Sequence, residues 1–577
     1  MKSAKHGTGP AEDIIMPPSR AHDKKIISSI EKLATLFILP DDHGKFLKCV
    51  ESVLGMIDDY VHNPENIFSS ITIDDLADLF SDTEPPTDPR AIEDVLHEIR
   101  EKVISYSVKV GSPYYIGHMT SSIPYFLILI EMIIAILNQN QVKIETAKAS
   151  TFLEREFLSW VHRGVFRLPR KFYQRTIQDH ARALGNITVD GTQANITALW
   201  VAREKAFPPD KNFQGVRKEG IQAALRHYGY SSAAVLVSKL GHYSFDKAMD
   251  LLGLGSKNLI RVPVNQDNQI DIKKLRRKIA GLNKGSGRCR IIALVGIAGT
   301  TETGNIDDLK MLRDVADECG AHYHVDAAWG GATLITKRYR HLLAGVELAD
   351  SVTIDAHKLF YNPMSMGMVL FRNKKDLSLV KYTTRYVVRH GSIDQGRFTI
   401  EGSRPFDALK PWASLKIMGT KGYQVLFDHA FTLSSDMHQI VSASKNFEPM
   451  NTPQLFIHVY RFVPAPVQSR LRCLLGRHAD RDTRSRARKA VRTINAILND
   501  LNVDLHRAIR QEDSTFVSRT TLEASMYSPQ RIVVLRSVTV NPLTTRAMLQ
   551  EILRKQDKTG MSIYEKKYKH SMAPLLR

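Results

Sequence analysis

The sequence predicts an α/β fold with a mainly parallel central sheet and helices on both faces. Short apolar runs typical of buried strands alternate with segments of helical periodicity after about residue 185. The runs occupy residues 233–238, 258–264, 289–299, 322–331 and 350–358. Strand–helix alternation of this kind builds a parallel sheet, and ligands bind such sheets at the carboxyl ends of the strands. We therefore expect functional residues directly after the apolar runs.

Three parts of the chain differ in their sequence pattern. Residues 1–110 begin as a polar leader and continue as helical segments, which we expect to support dimerisation. Residues 111–410 carry the strand–helix alternation and predict one large α/β domain. In residues 411–577, alternating runs separated by helical segments predict a small α+β domain.

The four cysteines of the 577-residue chain are scattered. Cys49, Cys289, Cys319 and Cys473 form no CxxC pair and have no histidine at a metal-binding spacing. This distribution argues against a disulfide framework and against a zinc site, and we expect no metal. It is typical of proteins in a reducing compartment.

Neither the N-terminus nor the most apolar stretch of the chain predicts a membrane segment. The polar N-terminus lacks the apolar core of a secretory signal. The most apolar stretch, residues 123–138, is short for a bilayer span and contains Glu131. We interpret it as a helix buried at a domain or subunit interface and expect a cytoplasmic protein without membrane contact.

The formal net charge is +20, which makes nucleic-acid binding an alternative to consider. Positive charge is concentrated in the Arg-rich segment 468–492, but this segment contains no aromatic residue for base stacking. A solvated linker and helix face is the simpler interpretation. We do not expect a nucleic-acid partner.

Two charged residues stand at the ends of predicted buried strands. Lys358 ends the segment DSVTIDAHK, and Asp326 lies in HYHVDAAWGG. A lysine beside a buried strand is partly desolvated, which favours the neutral amine required for a Schiff base. A buried carboxylate needs a cationic partner, and the protonated ring nitrogen of pyridoxal phosphate (PLP) is one. Taken singly, each residue also fits a structural role as a solvated strand end or a helix cap.

Three further segments place polar groups at predicted strand ends. His242 follows the first apolar run, where an imidazole can lie flat against a cofactor ring. The turn VDGTQANITAL places Gly191 and Thr192 at a helix start, whose backbone N–H groups and hydroxyl could hold a phosphate. Thr301 ends another run. Each segment alone is a weak signal, because such turns and threonines are common without a ligand.

Together, the five features occur in the order of one known family. The motifs SxxxHYSxxKA, GTTxxGxxDD, HVDAAWGG and DxHK succeed one another along the chain. From roughly Tyr114 to Pro542 the chain resembles the group II PLP-dependent decarboxylases, which act on glutamate, aspartate and aromatic amino acids. The resemblance implies the PLP-dependent transferase fold of type I and PLP as cofactor.

The resemblance also implies a role for each matching residue. Lys358 would hold the cofactor as a Schiff base, and Asp326 would bind its ring nitrogen. His242 would stack on the ring, and His357 would lie next to the Schiff base. The remaining contacts would come from Gly191 and Thr192 at the phosphate, Thr301 near the ring and Ala328 below it.

Two later segments extend the resemblance. VVLRSVTVNPLTT is similar to the family segment whose arginine holds the substrate α-carboxylate, which implies that Arg536 does so here. Its planar guanidinium suits bidentate binding of a carboxylate. EGSRPFDALKPW resembles the stretch that follows the family's mobile catalytic loop. That loop would span about residues 382–398, and Tyr386 is our candidate for the tyrosine that helps to protonate Cα.

The motif resemblance also suggests the substrate. GHMTSSIPYF, NQNQVKIETAKA, YRHLLAGVELADSVTIDAHK and TIEGSRP are most similar to bacterial pyridoxal-dependent aspartate 1-decarboxylases. We expect decarboxylation of L-aspartate to β-alanine and carbon dioxide. L-Glutamate, giving 4-aminobutyrate, and other amino acids remain alternatives.

Two other functions use the same fold. Transamination or desulfuration would need a similar lysine and aspartate, but the histidine before the lysine and the Arg536 segment favour decarboxylation. A catalytically silent or nucleic-acid-binding protein is the non-enzymatic alternative. The intact set of lysine, aspartate and histidine argues against it. Since family sites lie at a subunit interface, we also expect a homodimer.

Overall fold

The structure is a computed structural model. It describes residues 31, 33–34, 36–37, 43–62, 67–69, 71–282, 287–383, 392–476 and 481–577. Contacts divide the chain into two compact units, residues 1–64 with 71–107 and residues 65–70 with 108–577. The polar leader predicted for the first residues lies outside the described part of the chain.

The smaller unit is helical, as its sequence periodicity predicts. Its helices are α1 (His43–His62), α2 (Ile73–Asp78) and α3 (Ile92–Lys102), followed by a 3₁₀ turn at Ile104–Tyr106. The side chain of Thr72 accepts a hydrogen bond from the backbone N–H of Asp75 and thereby caps α2. Arg100 on α3 forms an ion pair with Asp59 on α1 at 2.8 Å.

The larger unit is built on a seven-stranded sheet with the order β1-β7-β6-β5-β4-β2-β3. The strands are β1 (Gly185–Thr188), β2 (Ser232–Ser238), β3 (Leu259–Val262), β4 (Cys289–Ile297), β5 (His322–Asp326), β6 (Ser351–Asp355) and β7 (Gly367–Phe371). The prediction of a mainly parallel sheet is confirmed, since β2 to β6 pair in parallel. Only β7 runs antiparallel to its neighbours β6 and β1.

Helices lie on both faces of this sheet. The helices of this part of the chain are α4 (Phe126–Leu137), α5 (Ile144–Ala147), α6 (Ala149–Phe166), α7 (Arg170–Thr176), α8 (Gly191–Ala206), α9 (Val216–Tyr228), α10 (Ser244–Leu251), α11 (Ile272–Leu282), α12 (Leu309–Glu318) and the single turn α13 (Ala356–Leu359). Side chains of β2 alternate between the two layers. Val235 belongs to the same buried cluster as Phe245 of α10 on one face, whereas Leu236 belongs to the cluster that contains Leu312 of α12 on the other.

A second sheet follows in the C-terminal part, as the alternating runs predict. It has the antiparallel order β10-β11-β9-β8. Its strands are β8 (Phe447–Pro449), β9 (Ile457–Phe462), β10 (Ser518–Leu522) and β11 (Ile532–Val538). The helices of this part are α14 (Leu409–Ala443), α15 (Ala465–Leu475), α16 (Arg481–Gln511), α17 (Arg546–Ile563) and α18 (Lys569–Leu576), with a π-helical turn at Tyr564–Tyr568. Helix α14 kinks at Gly419, whose φ of 62° interrupts the helical geometry.

The apolar segment at residues 123–138 forms helix α4. Its side chains Leu127 and Ile134 are buried, but several of its larger apolar residues are exposed on this chain. Within the described ranges, no helix is both long and apolar enough to cross a lipid bilayer.

Candidate active site

A cavity of about 240 Å³ lies at the carboxyl ends of the central strands. Its walls come from the segments that follow β1, β2, β4, β5 and β6, together with one N-terminal loop. The predicted residues that line it are Gly191, Thr192, His242, Thr301, Asp326, Ala328, His357 and Lys358. The fold thus brings together eight residues that are spread over more than a quarter of the chain.

Lys358 enters the cavity from α13, the single helical turn after β6. Its Nζ lies 2.9 Å from Oδ2 of Asp355, whose side chain is buried. A Cβ atom placed on Gly191 would lie only 2.8 Å from that same oxygen. Glycine at this position therefore lets the start of α8 approach the Lys358–Asp355 pair closely.

Asp326 ends β5 and is almost fully buried. Its Oδ1 accepts a hydrogen bond from the backbone N–H of Ala328 at 3.1 Å. Its Oδ2 accepts one from Nδ2 of Asn195 at 3.0 Å. These two donors hold the carboxylate in one orientation at the cavity wall, where it can bind a cationic ring nitrogen.

Two histidines line the same cavity. Nδ1 of His242 accepts a hydrogen bond from the backbone N–H of Ser244 at 3.2 Å. Nδ1 of His357 lies 2.9 Å from the carbonyl oxygen of Met366. Burial lowers the pKa of both imidazoles, and this is the largest contribution in each case. Both rings are therefore suited to act as neutral groups near pH 7.

Helix α8 begins at the cavity with Gly191 and Thr192. Its N-cap residue Asp190 accepts a hydrogen bond from the backbone N–H of Gln193 at 2.9 Å. The N–H groups of the first helical residues have no acceptor within the helix, and the helix dipole makes this end positive. The start of α8 thus fits a phosphate group, as the sequence predicts.

Arg536 on β11 lies beside the cavity but is not among the residues that line it. Its Nη1 donates to the carbonyl oxygen of Gly117 at 3.0 Å and to Oγ of Ser518 at 3.1 Å. Among the described residues, Nε and Nη2 have no hydrogen-bond partner although they are buried. Burial lowers the pKa of Arg536 to about 10. Two buried donors without a partner fit a bound carboxylate, since buried N–H groups are almost always paired.

Ten of the eighteen residues that line the cavity were not candidates from the sequence, and Asn195, Asp355 and His118 are three of them. Asn195 stands four residues after Gly191, on the same face of α8, so helical spacing is the signal that could have found it. Asp355 lies in the DxHK motif itself. His118 lies in the segment GHMTSSIPYF, whose resemblance to the family is the signal that could have found it. Burial and the charge of Arg536 lower the pKa of His118.

Tyr386 lies outside the described residues, so its position relative to the cavity is not described. Its assignment as a proton donor stays a prediction. Residues 382–383 and 392–398 of the predicted loop are described, and the backbone N–H of Tyr382 donates to the carbonyl oxygen of Arg397.

The sequence is similar to known proteins along almost its whole length. Residues 76–462 match the family described as the pyridoxal-dependent decarboxylase conserved domain. The aspartate 1-decarboxylase of Aliivibrio fischeri is 37% identical over 540 residues, which cover 94% of this chain and 96% of that protein. The L-2,4-diaminobutyrate decarboxylase of Acinetobacter baumannii is 26% identical over 445 residues, covering 73% and 83% of the two chains.

The fold is similar to that of solved decarboxylase structures. The crystal structure of Oryza sativa TDC with PLP and tryptamine superimposes with a TM-score of 0.75 at 19% identity, covering 91% of this chain and 100% of that one. At this identity the likeness shows the fold. The donor set of the cavity, with a lysine, a buried carboxylate and a helix N-terminus, fits PLP independently of these comparisons. The chain belongs to the pyridoxal-dependent decarboxylase family and is a PLP-dependent amino-acid carboxy-lyase.

Proposed function

We propose that this enzyme converts L-aspartate to β-alanine and carbon dioxide. One observation carries the choice of substrate: the 37% identity to the Aliivibrio fischeri aspartate 1-decarboxylase extends over 94% of this chain. The match therefore includes the small C-terminal sheet with Arg536, as well as the cofactor motifs. Relatives at lower identity carry the names of other substrates, so the substrate needs a direct test.

In this proposal, the cavity residues hold the cofactor in the roles that the motifs imply. Lys358 would attach the cofactor covalently, and Asp326 would bind its ring nitrogen. His242 would pack against the ring, and His357 would lie next to the attachment point. When bound, PLP would supply an electron sink for the bond that breaks during decarboxylation. Gly191 and Thr192 would hold its phosphate, while Thr301 and Ala328 would contact the ring.

Arg536 binds the α-carboxylate of the substrate in this proposal. Its free Nε and Nη2 donors match the two oxygens of a carboxylate in a bidentate arrangement. Because Nη1 is already held by Gly117 and Ser518, the guanidinium is fixed before the substrate arrives. A fixed guanidinium orients the bond that breaks, which lowers the barrier without later rearrangement. Tyr386 remains our candidate for returning a proton to Cα.

A substrate panel tests the proposed function. The purified protein, saturated with PLP, is incubated separately with L-aspartate, L-glutamate, L-2,4-diaminobutyrate and L-cysteine sulfinate, and the amine products are quantified. We expect the highest kcat/KM for L-aspartate, with β-alanine as the product. A higher kcat/KM for L-glutamate would show that the longer acidic amino acid, and not aspartate, is the preferred substrate. A preference for diaminobutyrate would reject an acidic substrate altogether.

We also propose that the enzyme is a homodimer in which the exposed face of α4 contacts a second copy. This face is formed by Leu129, Met132, Ile133, Ile136 and Leu137. Five large apolar residues on one short helix form a patch that a lone chain would expose to water. A twofold interface would bury the same patch on both subunits.

Sedimentation equilibrium tests this assembly. The wild-type protein is expected to sediment as a dimer, and Ile133→Glu should shift it towards the monomer. Leu475→Glu is the control, since Leu475 is exposed elsewhere at the end of α15 and should leave the dimer intact. A fully active wild-type monomer would contradict the proposal.

The four free thiols further fit our expectation of a cytoplasmic enzyme.

A further inference from the structure

A buried chain of hydrogen bonds starts at Asp326 and runs behind the cavity, away from it. Asn195 donates from Nδ2 to Oδ2 of Asp326, and its Oδ1 lies 3.0 Å from Nε2 of His324. Nδ1 of His324 lies 2.8 Å from Oγ of Ser351. The same Oγ lies 2.7 Å from Nε2 of His322. None of His322, His324 and Ser351 lines the cavity.

The carboxylate determines the direction of every bond in this chain. Because Asp326 can only accept, Asn195 must turn its amide nitrogen towards it. The second amide hydrogen of Asn195 is used as well, since Nδ2 lies 3.0 Å from Oγ of Ser244. Oδ1 of Asn195 is left as an acceptor, so Nε2 of His324 must carry a hydrogen.

The protonation of the two histidines determines which atom donates in the remaining hydrogen bonds. Burial lowers the pKa of His324 to about 4, so its ring is neutral near pH 7 and its Nδ1 is an acceptor. The hydroxyl of Ser351 therefore donates to His324 and accepts from Nε2 of His322. Burial lowers the pKa of His322 to about 3, so its ring is also neutral near pH 7 and carries its one hydrogen on Nε2. Nδ1 of His322 is then unprotonated, which agrees with its lack of a hydrogen-bond partner among the described residues.

Strand pairing explains why these groups meet. His324 on β5 is the register partner of Ser351 on β6. His322 lies two residues before His324, so both side chains point to the same face of the sheet. Helix α8 covers that face and supplies Asn195. We call this series of hydrogen bonds, from Asp326 through Asn195, His324 and Ser351 to His322, the relay. The relay is built on two central strands and one helix, which are rigid elements of the fold.

We propose that His324 and Ser351 are positioning residues for the cofactor. They hold the amide of Asn195 in the orientation that donates to Asp326, and thereby hold the Asp326 carboxylate against the ring nitrogen of PLP. This inference rests on the proposed role of Asp326. If Ser351 no longer donates to His324, the ring is free to change tautomer. Asn195 then loses its fixed partner, and the donor to Asp326 becomes weaker.

Equilibrium binding to the apoprotein tests the inference without using activity. The two ligands are PLP and 1-deaza-PLP, in which a carbon replaces the ring nitrogen while the aldehyde and phosphate remain. Ser351→Ala is expected to weaken PLP binding by about three- to tenfold, the range of one lost hydrogen bond. Binding of 1-deaza-PLP should stay within about twofold of wild type, because that ligand makes no bond to Asp326. Equal weakening of both ligands would overturn the proposal.

Two further variants separate the possible failures. Asp326→Asn should weaken PLP selectively, and if it weakens both ligands equally, the role of Asp326 itself is wrong. If Asp326→Asn is selective but Ser351→Ala is not, only the relay inference fails. Ser434→Ala is the matched control. Ser434 is another buried serine, and its Oγ donates a hydrogen bond to the carbonyl oxygen of Leu455 at 3.0 Å. It should leave the ratio of the two dissociation constants unchanged.

A measurement on the unmutated protein keeps the inference testable if Ser351→Ala does not fold. Nitrogen-15 NMR of histidine-labelled apoprotein near pH 7 distinguishes a protonated ring nitrogen from a bare one. We expect His322 and His324 to be neutral, with hydrogen on Nε2 and none on Nδ1. A cationic ring, or hydrogen on Nδ1 of His324, would contradict the proposed direction of the relay.

Discussion

Nζ of Lys358 lies 2.9 Å from Oδ2 of Asp355, three residues earlier at the end of β6. The carboxylate is buried, and its Oδ1 has no hydrogen-bond partner in the described part of the chain. The charge of a free lysine is therefore balanced within one turn of the backbone. If Lys358 holds the cofactor as proposed, Asp355 would receive its ammonium group in the unattached state.

Replacing Lys358 by alanine should abolish turnover and covalent attachment of PLP. The reason is that Lys358 is the only lysine among the described residues that line the cavity, while the expected phosphate and ring contacts remain. Absorbance spectroscopy and reduction with borohydride measure the covalent attachment, and product assays measure turnover. Lys375→Ala, at an exposed site, is the control and should behave as wild type. Near-normal turnover of Lys358→Ala would reject the assignment.

The variant Asp326→Asn should lower kcat by about ten- to hundredfold, the range for a lost hydrogen bond to a charged group. The amide keeps the shape of the side chain but cannot stabilise a protonated ring nitrogen, so the electron sink is weakened. PLP should still be retained through Lys358 and the start of α8. Steady-state kinetics and the PLP content of the purified protein check both statements. Unchanged kinetics would contradict the role of Asp326.

Arg536→Lys should reduce kcat/KM for L-aspartate and L-glutamate by a similar factor of about ten- to hundredfold. Lysine keeps the charge but loses the paired donors that hold a carboxylate in one plane. Both substrates share the α-carboxylate, so the ratio of their kcat/KM values should hardly change. If the variant lost aspartate activity and kept glutamate activity, Arg536 would recognise the side chain instead.

Stability should fall as the pH decreases from about 6.5 to 4, in part because of His162. This buried residue has its Nε2 2.9 Å from the carbonyl oxygen of Phe371. Burial lowers its pKa from 6.5 to about 4. Between these values the unfolded chain binds more protons than the folded one, so the free energy of unfolding decreases with falling pH. The contribution of this one residue is at most about 3 kcal/mol.

Urea unfolding of the apoprotein at several pH values measures this effect. His162→Gln is expected to be less stable near pH 7 but to lose less stability than wild type on acidification, because glutamine does not titrate. His341→Gln is the control, since His341 is exposed. If the pH dependence of His162→Gln equals that of wild type, the proton uptake on unfolding does not come from this residue.

The order of the central strands along the chain and eight of the eighteen residues that line the cavity could be predicted from the sequence. Buried parallel strands are continuous apolar runs, and a motif at the end of such a run must lie at one edge of the sheet. Lys358 and Asp326 became candidates in this way, and both line the cavity. Tyr386 stays a prediction, because no motif places it within its loop and it lies outside the described residues.

Other features depend on contacts between distant parts of the chain, and only the tertiary structure decides them. Arg536 and Gly117 are 419 residues apart, and no local pattern says that the arginine keeps two donors free. Asn195 and Asp326 are 131 residues apart, and they meet because α8 packs on the sheet. The residue types at strand ends follow from local periodicity and motif. The partner of each polar group follows from packing, since burial forces hydrogen bonds between whichever groups the fold brings together.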